Sequence, residues 1–111
     1  MPNVKLYVDE ALWPAHKPAL IAALPELRAL LCRDLAVPPA ACQVVIVPVW
    51  GLADQPAVNI ELMILPRPER TAEKLRALGG ELRALIGPVA GGASVAVRFA
   101  SLDPETYVAL K

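Results

Sequence analysis

The sequence predicts an α+β fold in which two tandem βαβ units form a four-stranded mixed sheet, covered on one face by two helices. Short segments with strand-like alternation of apolar and polar residues are separated by two longer segments with helical apolar spacing. A hexamer also repeats, since Glu26–Leu31 reads ELRALL and Glu81–Ile86 reads ELRALI, an offset of 81 − 26 = 55 residues. Whether the hexamer marks a duplication or a chance match between leucine-rich helices, the order of elements predicts two parallel strand pairs with right-handed crossovers.

The first unit opens with a strand at Val4–Val8, where apolar residues alternate with polar ones. A helix follows at Pro14–Leu35, because leucines recur there every three or four residues, and Pro25 predicts a kink or a split in it. The β-branched run Val44–Val47 is typical of a strand that is buried on both faces.

The second unit repeats this order. Alternation over Val58–Leu65 predicts a strand with one apolar face, made of Val58, Ile60, Leu62 and Ile64. The pattern of Glu69–Ile86 predicts a helix, and its internal Gly79-Gly80 pair indicates close approach of that helix to the sheet. A flexible loop is expected at Gly87–Gly92, followed by the last strand at Ser94–Ala100.

Composition limits both the domain count and the class of protein. The 111 residues predict a single domain over positions 1–111. With 11 basic and 11 acidic residues the net charge is zero, which argues against a nucleic-acid partner, and no apolar run is long enough for a membrane span. Without a signal-peptide pattern, we expect a cytoplasmic protein with reduced Cys32 and Cys42. The 56% apolar content predicts an oligomer, a large apolar pocket, or both.

The familiar catalytic motifs are missing, which leaves Pro2 as the candidate base. His16, the single histidine, lies at a helix start beside Pro14 and Pro18 and is interpreted as a surface residue. No phosphate loop or GxGxxG motif occurs, so neither a cofactor nor a metal is expected. Removal of Met1 would leave Pro2 with a secondary amine. An α-amino group titrates near ~8, and apolar surroundings lower its pKa further. Such an amine is neutral at pH 7 and can take a proton from carbon.

A proline at the head of the first strand, in a short chain of tandem βαβ units, resembles the tautomerase superfamily. Within it the sequence is most similar to 5-carboxymethyl-2-hydroxymuconate isomerase, through the Met1-Pro2 start, Trp50–Asp54, Glu69–Glu73 and Val108–Lys111. A more distant similarity, to macrophage migration inhibitory factor, lies in the approach to the second strand at Pro38-Pro39.

This resemblance implies a homotrimer with Pro2 as general base and pockets at subunit boundaries. It also implies arginines that hold a substrate carboxylate, and Arg70 matches one of them; the alternative is an exposed charge offset by neighbouring glutamates. The second strand lacks the other family arginine, so Arg98 becomes the candidate, or else forms a salt bridge at a subunit boundary. Trp50 and Phe99 are assigned to the pocket wall, with a core position as the alternative for each.

The activity that the resemblance implies is interconversion of enol and keto forms of an unsaturated 2-keto or 2-hydroxy acid. The expected partner is then a small-molecule carboxylic acid, without a cofactor. One alternative is a non-catalytic oligomeric protein that binds small molecules on the same scaffold. Another is dehalogenation or hydration, which needs a carboxylate to activate water; Asp9, Glu10 and Glu61 are the nearest candidates in the sequence.

Overall fold

The computed structural model describes residues 2–111, and its strands and long helices alternate as βαββαβ. The elements are β1 (Asn3–Asp9), α1 (Trp13–Leu35), β2 (Gln43–Val49), β3 (Val58–Ile64), α2 (Ala72–Val89) and β4 (Val95–Ser101). Short 3-10 turns at Glu10–Leu12 and Pro39–Ala41 lead into α1 and β2. Within the described residues, neither helix has the length and apolarity needed to cross a membrane.

The strands form one mixed sheet in the order β2-β1-β3-β4. β1 pairs with β2 in parallel and β3 pairs with β4 in parallel, while the central β1–β3 pair is antiparallel. Each helix therefore crosses over between two parallel strands, and the sheet joins the two units side by side. This confirms the predicted fold class.

The core lies between one face of the sheet and the two helices. Alternate residues of the two central strands are completely buried. They are Val4, Leu6 and Val8 of β1 and Val58, Ile60 and Leu62 of β3. The helices meet them with residues at helical spacing: Leu20, Leu27 and Leu31 from α1, and Leu78, Leu82 and Ile86 from α2. Burying one such side chain stabilises the fold by about 1.5–3 kcal/mol. The apolar face predicted for the third strand is confirmed.

The prediction that Val44–Val47 is buried on both faces is wrong for this protomer. β2 is an edge strand that pairs only with β1, and none of its residues is buried; the side chain of Val45 keeps 36% of its accessible surface. A continuous apolar run carries no alternation from which to tell a covered central strand from an edge strand with two apolar faces.

The helix boundaries also differ from those predicted. α1 runs unbroken through Pro25, whose side chain is exposed. The carbonyl of Ile21, which loses its helical partner at Pro25, belongs to an exposed residue, so water can hydrate it. α2 begins at Ala72 rather than Glu69, because Thr71 caps the helix by accepting a hydrogen bond from the Lys74 amide at 3.2 Å. It also continues to Val89, through part of the predicted loop.

The repeated hexamers occupy equivalent places on the two helices. Leu27 and Leu82 are buried at the same point of each copy, and Arg33 of α1 forms an ion pair with Glu81 of α2 at 3.2 Å. β1 and β3 also start 58 − 3 = 55 residues apart. The faces differ, however, since Lys5 lies on the uncovered face and residue 5 + 55, Ile60, lies in the core. The two units therefore differ by one residue in the offset between strand and helix.

Gly91 and Gly92, which follow α2, have φ angles of +70° and +77°, a region that disfavours side chains. A Cβ on Gly91 would lie 2.5 Å from Nε2 of His16, whereas a Cβ on Gly92 would have no atom within 4 Å. We expect Gly92→Ala to lower the free energy of unfolding by about 1–2 kcal/mol, and Gly91→Ala by about 1 kcal/mol more. Urea unfolding followed by circular dichroism measures both losses.

The control for each glycine substitution is the same substitution made in a His16→Ala variant. There the two substitutions should cost the same, because the clashing imidazole is gone. Equal losses in the unmodified chain would contradict the predicted contact between His16 and Gly91.

Candidate functional site at the Pro2 end of the sheet

Pro2 lies directly before β1 at one end of the sheet, with its side chain fully buried. Its carbonyl oxygen accepts a hydrogen bond from the Gln43 amide at 3.1 Å, which fixes Pro2 beside the start of β2. Continuing the strand register places Cys42 on one side of Pro2 and Ile64 on the other, and both are buried. Burial among apolar groups is the setting that lowers the pKa of an amine. Met1, whose removal would free that amine, lies outside the described residues.

Cys42 contributes an inert thiol to this end of the sheet. Burial, followed by its neighbour Cys32, raises the pKa of Cys42 to about 11. The group therefore stays protonated at neutral pH and packs as a small apolar side chain rather than acting as a nucleophile.

Chain direction brings several segments to the Pro2 end. β1 and its parallel partner β2 begin here, so the antiparallel strands β3 and β4 end here. The Leu102 amide donates to the carbonyl of Ile64 at 2.8 Å and ties the two strand ends together. α1 ends at the same side of the molecule and α2 begins there, which places the connection between β3 and α2 next to the start of β1.

Arg70, in that connection, holds two backbone carbonyls. Its Nη1 donates to the carbonyl of Leu65 at 2.7 Å, and its Nη2 donates to that of Leu35, the last residue of α1, at 3.0 Å. A cation is stabilising at the carboxyl end of a helix. The guanidinium thus interacts favourably with the carboxyl end of α1, although it also lies beside the start of α2, where a cation opposes the helix dipole.

Burial lowers the pKa of Arg70, and the nearby positive charge of Arg67 lowers it further, while Glu69 opposes both. The Nε of Arg70 is buried and has no hydrogen-bond partner among the residues described. The amide of Arg70 also donates to the carbonyl of Arg67 at 2.9 Å, closing a turn with Pro68 at its second position. Arg67, which is not among the site residues predicted from the sequence, is an exposed cation within this turn.

Arg98 lies on the sheet face that the helices leave uncovered. It is exposed and stands opposite Glu61 of β3, which stands opposite Lys5 of β1. From Pro2, this position is roughly 10 Å along the strands and 10 Å across them. Glu61 also acts on Tyr7 of the same face: the pKa of the Tyr7 phenol is raised by burial first and then by this carboxylate.

Phe99 and Trp50 lie in two other parts of the protomer. Phe99 follows Arg98 and so faces α2, where its Cε2 would lie 3.4 Å from a Cβ on Gly79; this is the close approach expected for that helix. Trp50 follows β2 at the other end of the sheet, roughly 23 Å from Gln43 at the strand rise, and 80% of its surface is exposed. One protomer therefore places Arg70 at the Pro2 end of the sheet, while Arg98 lies on the uncovered face, Phe99 packs toward α2 and Trp50 lies at the opposite end.

The three carboxylates considered for water activation lie away from the Pro2 end. Asp9 ends β1 and accepts a hydrogen bond from the Ala11 amide at 2.9 Å. Glu10 follows it at the same end, and Glu61 lies on the uncovered sheet face. Within one protomer none of them is placed to activate a water beside Pro2.

Comparison of the fold with solved structures gives close matches at low sequence identity. A 5-carboxymethyl-2-hydroxymuconate isomerase from Deinococcus radiodurans aligns with a TM-score of 0.74 at 15% identity, covering 98% of this chain and 88% of the other. A macrophage migration inhibitory factor-like protein from Entamoeba histolytica gives 0.68 at 14% identity, with coverages of 97% and 94%. A fused 4-OT, described as a symmetric trimer, gives 0.70 at 19% identity, with coverages of 96% and 89%.

Neither a protein-family model nor a curated protein matches the sequence. These three matches span almost the whole chain, and the three proteins are tautomerase superfamily members. The chain therefore has the tautomerase fold, as the sequence resemblance suggested.

Proposed function

We propose that this protein is a tautomerase that interconverts the enol and keto forms of an unsaturated 2-keto or 2-hydroxy acid, with Pro2 as general base. The observation that carries the proposal is the burial of Pro2 at the head of β1, between Cys42 and Ile64, on a tautomerase fold. The isomerase among the structures of similar fold supports the reaction class.

The chemistry begins once Met1 is removed and Pro2 carries a free secondary amine. In the direction from enol to keto, the neutral amine takes the proton of the enol hydroxyl, which leaves a conjugated enolate. The protonated amine then delivers that proton to carbon, so the keto form is produced without net loss or gain of atoms. A positively charged side chain that binds the carboxylate orients the substrate and stabilises the developing negative charge. The proposed reaction calls for no cofactor.

The protein acts, in this proposal, as a homotrimer in the cytoplasm. Trimers of fused 4-OT have the same fold, and the two free cysteines fit a reducing compartment. Trp50 is largely exposed in one protomer, and so is Arg98. In this proposal, Trp50 and Arg98 therefore reach the pocket at Pro2 of a neighbouring protomer. Phe99, which packs on α2, supports the wall of that pocket only indirectly.

A non-catalytic binding protein is the second candidate, and the hydrogen bonds of Arg70 favour it. Because two of the Arg70 nitrogens already donate to backbone carbonyls and its Nε is buried, only part of the donor set of the side chain assigned to the substrate carboxylate is left for it. In this alternative the fold binds small carboxylic acids and Pro2 is only a buried strand residue.

Replacing the base tests the choice between these functions. For protein whose loss of Met1 is verified by intact mass, Pro2→Ala should lower kcat/KM for phenylenolpyruvate by about 10²-fold or more, since general bases contribute about 10²–10⁴-fold. The rate of the unmodified enzyme should rise with pH and level off above a midpoint below ~8, because only the neutral amine accepts a proton. Pro104→Ala, in the exposed segment after β4, is the control. Turnover no faster than the uncatalysed rate in both Pro2→Ala and the unmodified protein would favour the binding protein, and equal rates above that level would remove Pro2 as the base.

The trimer is tested by mass in solution. Three chains of 11.8 kDa give about 35 kDa, which sedimentation equilibrium or native mass spectrometry resolves from a monomer. Val45→Asp places a charge on the apolar, uncovered side of β2 and should shift the population toward 11.8 kDa with the circular dichroism spectrum unchanged. Ala77→Asp, on the exposed side of α2, should not. A monomeric unmodified protein would contradict the proposal.

A further inference from the structure

The two cysteines of the chain lie on elements that pack against each other. Cys32 belongs to the last turns of α1, and Cys42 directly precedes β2. Cys42 is buried in the core between sheet and helices, and Cys32, which is half-buried, packs against that core. One thiol is therefore shielded from solvent, and the other can be reached from it.

The packing of α1 along β2 shows which residues of the two elements lie level with each other. Because α1 connects the parallel strands β1 and β2, it runs in the direction opposite to β2. One cavity between the two elements is lined by Arg28 of α1 and Val44 of β2. Another is lined by Ile21 and Ile46. Moving forward along β2 therefore corresponds to moving backward along α1.

Extending this order by one step places Cys42 level with Cys32. Cys32 lies four residues after Arg28, on the same side of the helix and about 6 Å further along it. Cys42 lies two residues before Val44, on the same face of the strand and about 7 Å away. Gln43, between them, is exposed, so the alternation turns Cys42 toward α1. The two thiols therefore meet where α1 ends and β2 begins.

The surroundings of the Cys42 thiol agree with this contact. Burial is the main cause that raises the pKa of Cys42 to about 11, and Cys32 raises it further through its charge and through a hydrogen bond between the two side chains. Among the described residues, Arg28 is the charged group that opposes this rise. A hydrogen bond between the thiols brings the two sulfur atoms within reach of each other, as a disulfide requires.

The backbone between the cysteines is already folded into a compact turn. The Val37 amide donates to the carbonyl of Cys32 at 3.2 Å, and the Cys42 amide donates to the carbonyl of Pro39 at 3.1 Å. Ala36, with a φ angle of 53°, reverses the chain at the end of α1. A cross-link between the cysteines thus closes a connection that hydrogen bonds hold at both ends.

We infer that Cys32 and Cys42 are a redox pair, which a low-molecular-weight disulfide oxidises to an intramolecular disulfide in two steps. In the first step the Cys32 sulfur attacks one sulfur of the small disulfide and expels a small thiol. In the second step the Cys42 sulfur attacks Sγ of Cys32 and expels the second small thiol. Each small thiol takes up the proton that a cysteine gives up, so two protein thiols are oxidised while one small disulfide is reduced.

Burial sets the order and the rate of these steps. Cys42 does not react with solutes, since its thiol is shielded and protonated. Once Cys32 carries the mixed disulfide, an electrophilic sulfur is held beside Cys42, and only the loss of the Cys42 proton is needed for attack. The second step is therefore slow at neutral pH. Its rate should rise about tenfold per pH unit up to a pH of about 11, because only the thiolate attacks.

Oxidised glutathione and intact mass test the pair in the unmodified protein. Thiols that remain free are blocked with N-ethylmaleimide under denaturing conditions. A chain with one glutathione and one maleimide should appear first and convert to a chain without either, lighter than the reduced protein by two hydrogens. Peptide mapping should place the glutathione at Cys32 and the final disulfide between Cys32 and Cys42. The conversion should accelerate about a hundredfold from pH 7 to pH 9.

Variants and unfolded protein are the controls. Cys42→Ala should stop at the mixed disulfide, and Cys32→Ala should take up glutathione about tenfold more slowly or less, because its thiol is buried. In urea the conversion should level off above a pH of about 8.5, where an exposed thiol titrates. The same levelling in the native protein would overturn the inference. Glutathione found first at Cys42, a disulfide between two chains, or a mixed disulfide that persists at pH 9 would also overturn it.

Discussion

The antiparallel pairing of β1 with β3 is the contact from which the rest of the arrangement follows. Each βαβ unit is parallel within itself, so pairing the two units through antiparallel central strands turns one unit over relative to the other. The starts of β1 and β2 then meet the ends of β3 and β4. The same pairing brings the carboxyl end of α1 and the amino end of α2 to one side of the sheet, where Pro2 is buried.

The carboxyl end of α1 and the amino end of α2, which carry opposite partial charges, both lie at the side of the sheet where Pro2 is buried. The Leu35 carbonyl at the end of α1 requires a donor, and Arg70 supplies it from the chain segment just before α2. Because the same side chain also binds the Leu65 carbonyl, a connection without helix or strand is fixed at both ends. This use of Arg70 explains why a basic residue beside the amino end of a helix is tolerated.

Features encoded by local periodicity were predictable from the sequence, and those that depend on distant partners were not. The alternation over Val58–Leu65 predicted both the strand and its buried face. The Gly79-Gly80 pair predicted the close approach of α2, which Phe99 makes at Gly79. The edge position of β2 depends on strand order, which an unbroken apolar run does not encode. The hydrogen bond from Arg70 to Leu35 joins residues 35 positions apart, and no spacing rule reports it.

The apolar residues, which make up 56% of the chain, fall into two groups in the structure. One part fills the space between sheet and helices and includes the buried side chain of Pro2, so the apolar setting of the proposed base exists within a single protomer. The other part stays on the surface, with Trp50 and Leu52 beyond the end of β2 and Val45 on its uncovered face. On the uncovered face of the sheet, Lys5, Glu61 and Arg98 lie opposite one another on β1, β3 and β4. Because their signs alternate, each charge keeps an opposite charge beside it when water is excluded from this face.

In the proposed trimer these two groups have different consequences. Because the side chain of Pro2 is buried within its own protomer, its apolar surroundings do not depend on assembly. Assembly is required to complete a pocket, since Trp50 and Arg98 lie far from Pro2 in their own protomer. Dissociation of the trimer would then leave the surroundings of Pro2 nearly unchanged and remove the part of the pocket wall that Trp50 and Arg98 provide. Loss of activity on dissociation would therefore reflect weaker substrate binding rather than a weaker base.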